Sequence, residues 1–390
     1  MKFFGKDNEA ILHVEHRRLF FLFFILFVFI HFSCSKPAEQ KTETPSLNIK
    51  YAKGFSIKHQ GSNTLVTVNY PYQGATSGYK YLLAQKGQPI PEHATDVQVI
   101  EVPIETIVCT STTHIPHLDY LGVTDKLVGF PSTDYINSET ARKRIDAGFV
   151  KDLGVDKGMN LELLYTLKPS LVMAYTTTAD IGQLKKVQEL GIPVVLNGEY
   201  LERDPLGRAE WIKFTSLFFG KEKEADSVFS EIEKEYIATQ KIAGNLEQKP
   251  SMLYGTVYGD AWFMPGGQNY ASKLLQDSGT DYLWARDTTH GWLEISFESV
   301  YSRAKDADIW IVGSFDTYEQ LKAADERYSL FKPFETRQIY NYFGRKGAKG
   351  WNDFLELGYM RPDIILKDLV KISHPELLPD HQLYFHKKLE

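Results

Sequence analysis

The sequence predicts an α/β protein of two lobes, each with a parallel-type sheet flanked by helices, joined by one long rigid helix. Three observations carry this expectation. Short runs rich in Val, Ile and Leu alternate with helix-spaced segments on both sides of the chain's midpoint, the pattern of strand–helix–strand units in a parallel sheet. Between them, residues 205–244 place Ala225, Val228, Phe229, Ile232 and Tyr236 at helical spacing, with Lys and Glu on the other faces. Finally, 390 residues at 43% hydrophobic content supply core enough for two domains.

The totals exclude some classes. A net charge of -6 gives no support for nucleic-acid binding. Two cysteines, Cys34 and Cys109, make no disulfide framework, and Cys109 sits in an apolar run as a buried strand thiol. Aromatic residues reach 13%, which leaves rings available for a ligand surface.

At the N-terminus, His16, Arg17 and Arg18 precede an apolar run from Leu19 to Ile30. That run is short for a bilayer span and suits a signal-peptide core. Ser33-Cys34 at its end resembles a bacterial lipoprotein processing site, which makes residues 1–33 a signal peptide and Cys34 the lipidated first residue. Residues 34–46 are polar and Pro-containing, and read as a tether. The chain is therefore expected to be exported and held to a membrane by its lipid.

The first lobe spans 47–204. It opens with a β segment, 49–102, whose runs at 64–70, 79–83 and 97–102 are separated by Pro71, Gly74, Gly78 and Gly87 and predict a small antiparallel sheet. Strands follow at 106–110, 126–130, 170–174 and 193–196, with helices at 117–121, 161–167 and 181–190. In residues 205–244, Pro205 suits a first helical turn and Gly220 a break. The second lobe, 250–390, repeats the grammar: strands at 251–257, 308–312 and 338–342, and helices at 271–276, 297–304 and 362–372. The helix–strand unit beginning at Leu161 echoes the one beginning at Phe297.

Ligands of α/β sheets sit beyond the carboxyl ends of the strands. Those positions hold His114, Tyr135, Tyr175, Trp262, Trp284, Arg286, Trp292 and Trp351. Rings with hydroxyls from two lobes, without clustered charge, suit a large, partly apolar, planar or chelate-like ligand held by stacking. Any one ring is more often a core or lobe-interface residue; the recurrence at strand ends favours a cleft, led by Tyr135, Tyr175 and Trp292. Arg286, Arg208 and Arg303 serve either to meet anionic groups of a ligand or as plain surface charge.

His114 and His290, with Asp134, Asp260 or Asp287, fall short of the three or four ligands a bare metal site needs, so no protein-held metal or cofactor is expected. No G-x-S-x-G elbow, P-loop or H-E-x-x-H motif marks an enzyme. Glu298, Asp180 and Glu210 lie early in helices. They serve either as dipole partners or as one exposed carboxylate per lobe for a basic membrane partner.

Together, Cys34, the runs Met159–Leu163 and Leu167–Val172, the spacing Ala174-Tyr175 to Leu190–Val194, and Trp351–Asp353 with Arg361–Leu366 resemble the periplasmic substrate-binding proteins of ABC importers for ferric siderophores, haem and cobalamin. The resemblance covers roughly 105–374. It implies a metal-chelate ligand, a partner permease with its ATPase, a monomer, and a periplasmic lipoprotein. By position, Tyr135, Tyr175 and Trp292 match the cleft aromatics of cobalamin binders, and Glu298 matches the second-lobe docking carboxylate. In the first lobe Asp180 or Glu210 stands in for its partner. The β segment 49–102 is additional to the family pattern. Alternatives are a free-metal scavenger of the same fold and an envelope hydrolase using His290.

Overall fold

The computed structural model describes residues 47–155, 158–244 and 246–390. The expected signal peptide, Cys34 and the expected tether lie outside the described residues. Among the described residues, no helix is long and apolar enough to cross a membrane.

The chain opens with a four-stranded sheet of β1 (Phe55–Gln60), β2 (Asn63–Val68), β3 (Tyr79–Gln85) and β4 (Val97–Val102), in that order. The first three strands pair antiparallel, but β3 and β4 are parallel. This corrects the all-antiparallel expectation. Residues 86–96 form a crossover rather than a hairpin, and runs of alternating residues do not reveal strand direction. The sheet is welded to the lobe behind it: Leu196 N donates to Tyr81 Oη at 3.0 Å, and Phe55 packs edge-on to Trp211 with centroids 4.8 Å apart.

The first-lobe sheet comprises β5 (Ile107–Cys109), β6 (Leu127–Phe130), β7 (Lys151–Asp152), β8 (Leu171–Ala174) and β9 (Val194–Leu196). Its order is β7-β6-β5-β8-β9 and every pair is parallel. Such a sheet is covered on both faces, so its strands read as continuous apolar runs. Ile107 and Cys109 face the main core, while Val108 faces a second cluster with Leu164, Val172 and Val187. Burial pushes the Cys109 thiol far above its ordinary pKa, as an inert core group requires. Local chemistry sets the helix ends: Asn160 caps Leu161–Leu167 by accepting from Leu163 N, and Lys168 in left-handed backbone stops it.

The second lobe holds β10 (Ser251–Tyr254), β11 (Thr256–Tyr258), β12 (Ala261–Pro265), β13 (Asp281–Tyr282), β14 (Trp292–Ile295), β15 (Ile309–Val312), β16 (Ile339–Asn341) and β17 (Lys387–Lys388). One sheet runs β13-β10-β15-β16-β17 and a smaller antiparallel one β11-β12-β14. The single strand expected at 251–257 is therefore two strands in different sheets. Gly255 makes the break at φ +85°, and a Cβ there would collide with Phe263 O. The echo between lobes is structural: β8 follows its helix to pair with β5, and β15 follows its own to pair with β10.

The connection is helical in three pieces, Pro205–Ala209, Trp211–Ser216 and the 23-residue Glu222–Gly244. Asp204 caps the first, and Gly220, at φ +65°, precedes the last.

Candidate functional site

Parallel strands deliver their following loops to one edge, and the loops of both lobes converge on Arg208. From the first lobe, Glu199 after β9 lies 3.6 Å from the guanidinium and accepts from Thr113 Oγ1 at 2.6 Å. Arg208 donates to the carbonyls of Glu199 and Tyr200 at 3.2 and 2.5 Å. From the second lobe, the rings of Tyr270 and Tyr359 pack against it at 4.5 and 4.2 Å. Arg208 is thus a buried keystone rather than a free cation.

An aromatic ladder runs from this keystone. Tyr270 meets Tyr359 (5.7 Å), Tyr359 meets Phe354 (6.1 Å), Phe354 meets Tyr342 (5.1 Å), and Tyr342 stacks on Tyr254 (6.1 Å, planes 10° apart). Tyr254 approaches Trp292 at 6.3 Å, and Trp292 is 53% exposed. Burial pushes the phenols of Tyr254 and Tyr270 well above their ordinary pKa, so they stay neutral. Tyr254, Tyr270 and Phe354 are buried, so the ladder backs the site and its Trp292 end presents a ring to solvent.

The first-lobe loops are stiffened. Tyr135, 45% exposed, sits in a turn whose Thr133 donates through N and Oγ1 to Asp152 Oδ2 at 2.8 and 2.7 Å. Desolvation alone would raise the Asp152 carboxyl; the hydrogen bonds from Thr133 and Gly154 outweigh it and lower its pKa. Arg142 ties the same turn by donating to Thr133 O. The half-buried Tyr175 follows β8, and its backbone N donates to Thr110 Oγ1 at the end of β5. Across the lobes, Tyr135 meets the 46%-exposed Trp351 at 4.4 Å, and Lys349 lies 3.7 Å from Asp134.

Four sequence candidates need correction. Trp262 is fully buried, stacked on Trp310 at 5.5 Å with its Nε1 donating to Tyr254 O, so it belongs to the core. Trp284 is buried beneath Arg303, whose guanidinium lies 5.0 Å from its ring. His114 is fully buried, and burial holds its pKa down to about 3, so no ligand reaches its ring. Glu210 is fully buried and accepts from the amides of Lys50, Tyr51 and Ala52 at 2.9, 2.7 and 2.9 Å and from Lys213 Nζ at 3.2 Å. It pins the chain leading into β1 and has no face for a partner.

Arg286 and His290 are exposed, as are Asp180 and Glu298. Glu298 lies 3.4 Å from Arg327, and Asp180 accepts from Gly182 N. Among the described residues, no three His, Cys, Asp or Glu side chains gather to hold a metal ion. The strand-end rule could have found Tyr254 and Tyr342, each at or beside a strand terminus. Nothing local marks Tyr270, Tyr359 or Glu199, which meet only through the fold.

Two sheets with converging loops and an aromatic wall define a two-lobed binding protein. A family profile described as Periplasmic binding protein matches residues 107–342, and the chain belongs to that family. It is 26% identical over 376 residues to the uncharacterized lipoprotein MJ0878 of Methanocaldococcus jannaschii, covering 90% of this chain and 87% of that protein. Among solved structures it is similar to a possible iron-binding (periplasmic solute-binding) protein of Staphylococcus epidermidis, with TM-score 0.55, 18% identity, and coverage of 69% and 98% of the two chains. The periplasmic heme-binding protein RhuT of Roseiflexus sp. RS-1 gives TM-score 0.54, 16% identity, and coverage of 70% and 99%.

Proposed function

We propose that this chain captures a metal chelate (a ferric siderophore, haem or a cobalamin-like corrinoid) between its lobes and delivers it to an ABC permease. The observation that carries this reading is the exposed ring pair Tyr135 and Trp351, 4.4 Å apart across the lobes, with the half-exposed Trp292 at the open end of the second-lobe ladder. Tyr135, Tyr175, Trp292 and Trp351 contact the ligand, with Arg286 available to an anionic edge. A structural neighbour that binds heme and another described as a possible iron-binding protein support a ligand of this kind.

Glu298 and Asp180, exposed on opposite lobes, are the docking carboxylates for the permease. The tether beginning at lipidated Cys34 keeps the protein at the membrane, in line with a relative that is itself described as a lipoprotein. The full-length protein in detergent, incubated with haem, cobalamin and ferric siderophores and passed through gel filtration, tests this reading. Stoichiometric co-elution of one chelate supports it; elution free of every chelate contradicts it.

A further inference from the structure

Besides the meeting at Arg208, the lobes touch at a rim where one buried carboxyl organises the contact. Glu356 reaches from the second lobe and is 2% exposed. Its Oε2 accepts from Asn137 N at 2.7 Å and its Oε1 from Ser138 N at 2.8 Å, both in the first lobe. Those amides precede the Glu139–Asp146 helix, whose cap is Ser138. The surrounding fit is close. A Cβ at Gly347 would collide with the Asn137 side chain, and Arg361 Nη1 donates to Tyr120 Oη at 2.8 Å. Tyr135–Trp351 and Asp134–Lys349 complete the same seam.

We propose that Glu356 is a positioning residue that latches the two lobes at this rim, bringing Tyr135 against Trp351, and loosens the seam as it ionises. A carboxyl group buried between lobes is dehydrated only while they are joined, so joining and protonation are linked. The groups facing it are Asp353 beside it and Asp119 on Ile115–Tyr120. Both discourage its ionisation, while Arg345 is held by Asp353 and Arg361 by Asp363. Burial, working against the two amide bonds, lifts the Glu356 carboxyl to about 8.

The sign follows. A pKa raised in the joined state makes the latch strongest below the ordinary Glu value, and the latch weakens as pH rises toward 8. None of this depends on which ligand the cleft holds, and its test needs no ligand.

Hydrogen exchange read by mass spectrometry on the full-length protein, with rates normalised to intrinsic chemistry at each pH, tests the latch. In the wild type, peptides covering 134–140 and 345–356 are expected to lose protection together between about pH 5 and 8, by up to tenfold per pH unit, and then level off. Glu356→Ala removes both acceptors; it should lower protection on both sides of the seam and remove the pH dependence. Flat protection in the wild type, which needs no variant, overturns the proposal. So does wild-type protection in Glu356→Ala.

Discussion

The rings of Tyr135 and Trp351 stand edge to face across the lobes, their centroids 4.4 Å and their planes 82° apart. Each is nearly half exposed, so the pair shapes the cleft more than it stabilises the fold. An edge-to-face pair contributes about 0.5–1.5 kcal/mol. Trp351→Ala is therefore expected to lower the midpoint of urea unfolding only slightly while weakening chelate binding about tenfold, a loss of roughly 1.4 kcal/mol. Unfolding and titration of the same preparation check both halves.

Trp262 and Trp292 should behave oppositely, although they lie in neighbouring paired strands. Trp262 fills the core among Trp310, Tyr328 and Phe331, and its truncation should cost about 3–5 kcal/mol. Trp292 projects beside Tyr254, and Trp292→Ala should leave stability near wild type while reducing affinity. Denaturant unfolding separates the two.

Glu210 tests structure against docking. Glu210→Ala orphans three backbone amides and leaves Lys213 to Asn48 O and Asp226, a loss of about 3–5 kcal/mol typical of breaking a buried charge pair. Limited proteolysis should cut near residues 47–54 in this variant. Glu298→Ala should leave stability unchanged and reduce transport in vesicles reconstituted with the permease.

Acid should destabilise the fold through His114 and His117. Burial holds both rings neutral, with pKa values of about 3, whereas the unfolded chain takes up protons from about 6.5 downward. The unfolded state thus binds more protons, and stability falls as pH drops from 6.5 toward 3, by up to about 1.4 kcal/mol per pH unit for each ring. Asp368 acts in the same direction. Desolvation would raise its pKa, but bonds from His381, His386 and the amides of Tyr384, Phe385 and His386 hold it well below the ordinary value. Its contribution is present above the ordinary Asp range and lost as pH falls. Urea unfolding from about pH 7 to 4 measures the slope, and His114→Leu should flatten it.

Element by element, the strands and helices were legible because their signals are local: Leu161–Leu167 and Phe297–Ala304 carry the boundaries their periodicity and caps dictate. The parallel pairing of β3 with β4 was not, since direction is set by how residues 86–96 cross. Nor was the fate of individual rings. Trp262 and Trp292 occupy similar strand positions, and only tertiary packing decides which one faces the core. The keystone at Arg208 joins residues 199, 208, 270 and 359, whose approach no spacing encodes.

The most direct test of the central claim is a tryptophan-fluorescence titration of the full-length protein with haem, cobalamin and ferric siderophores, corrected for inner-filter absorption and repeated on Trp292→Ala. Saturable quenching by one chelate, weakened in the variant, is the predicted result. Absence of saturable quenching by every chelate, or equal affinity with and without the Trp292 ring, would contradict a chelate held on the aromatic ladder.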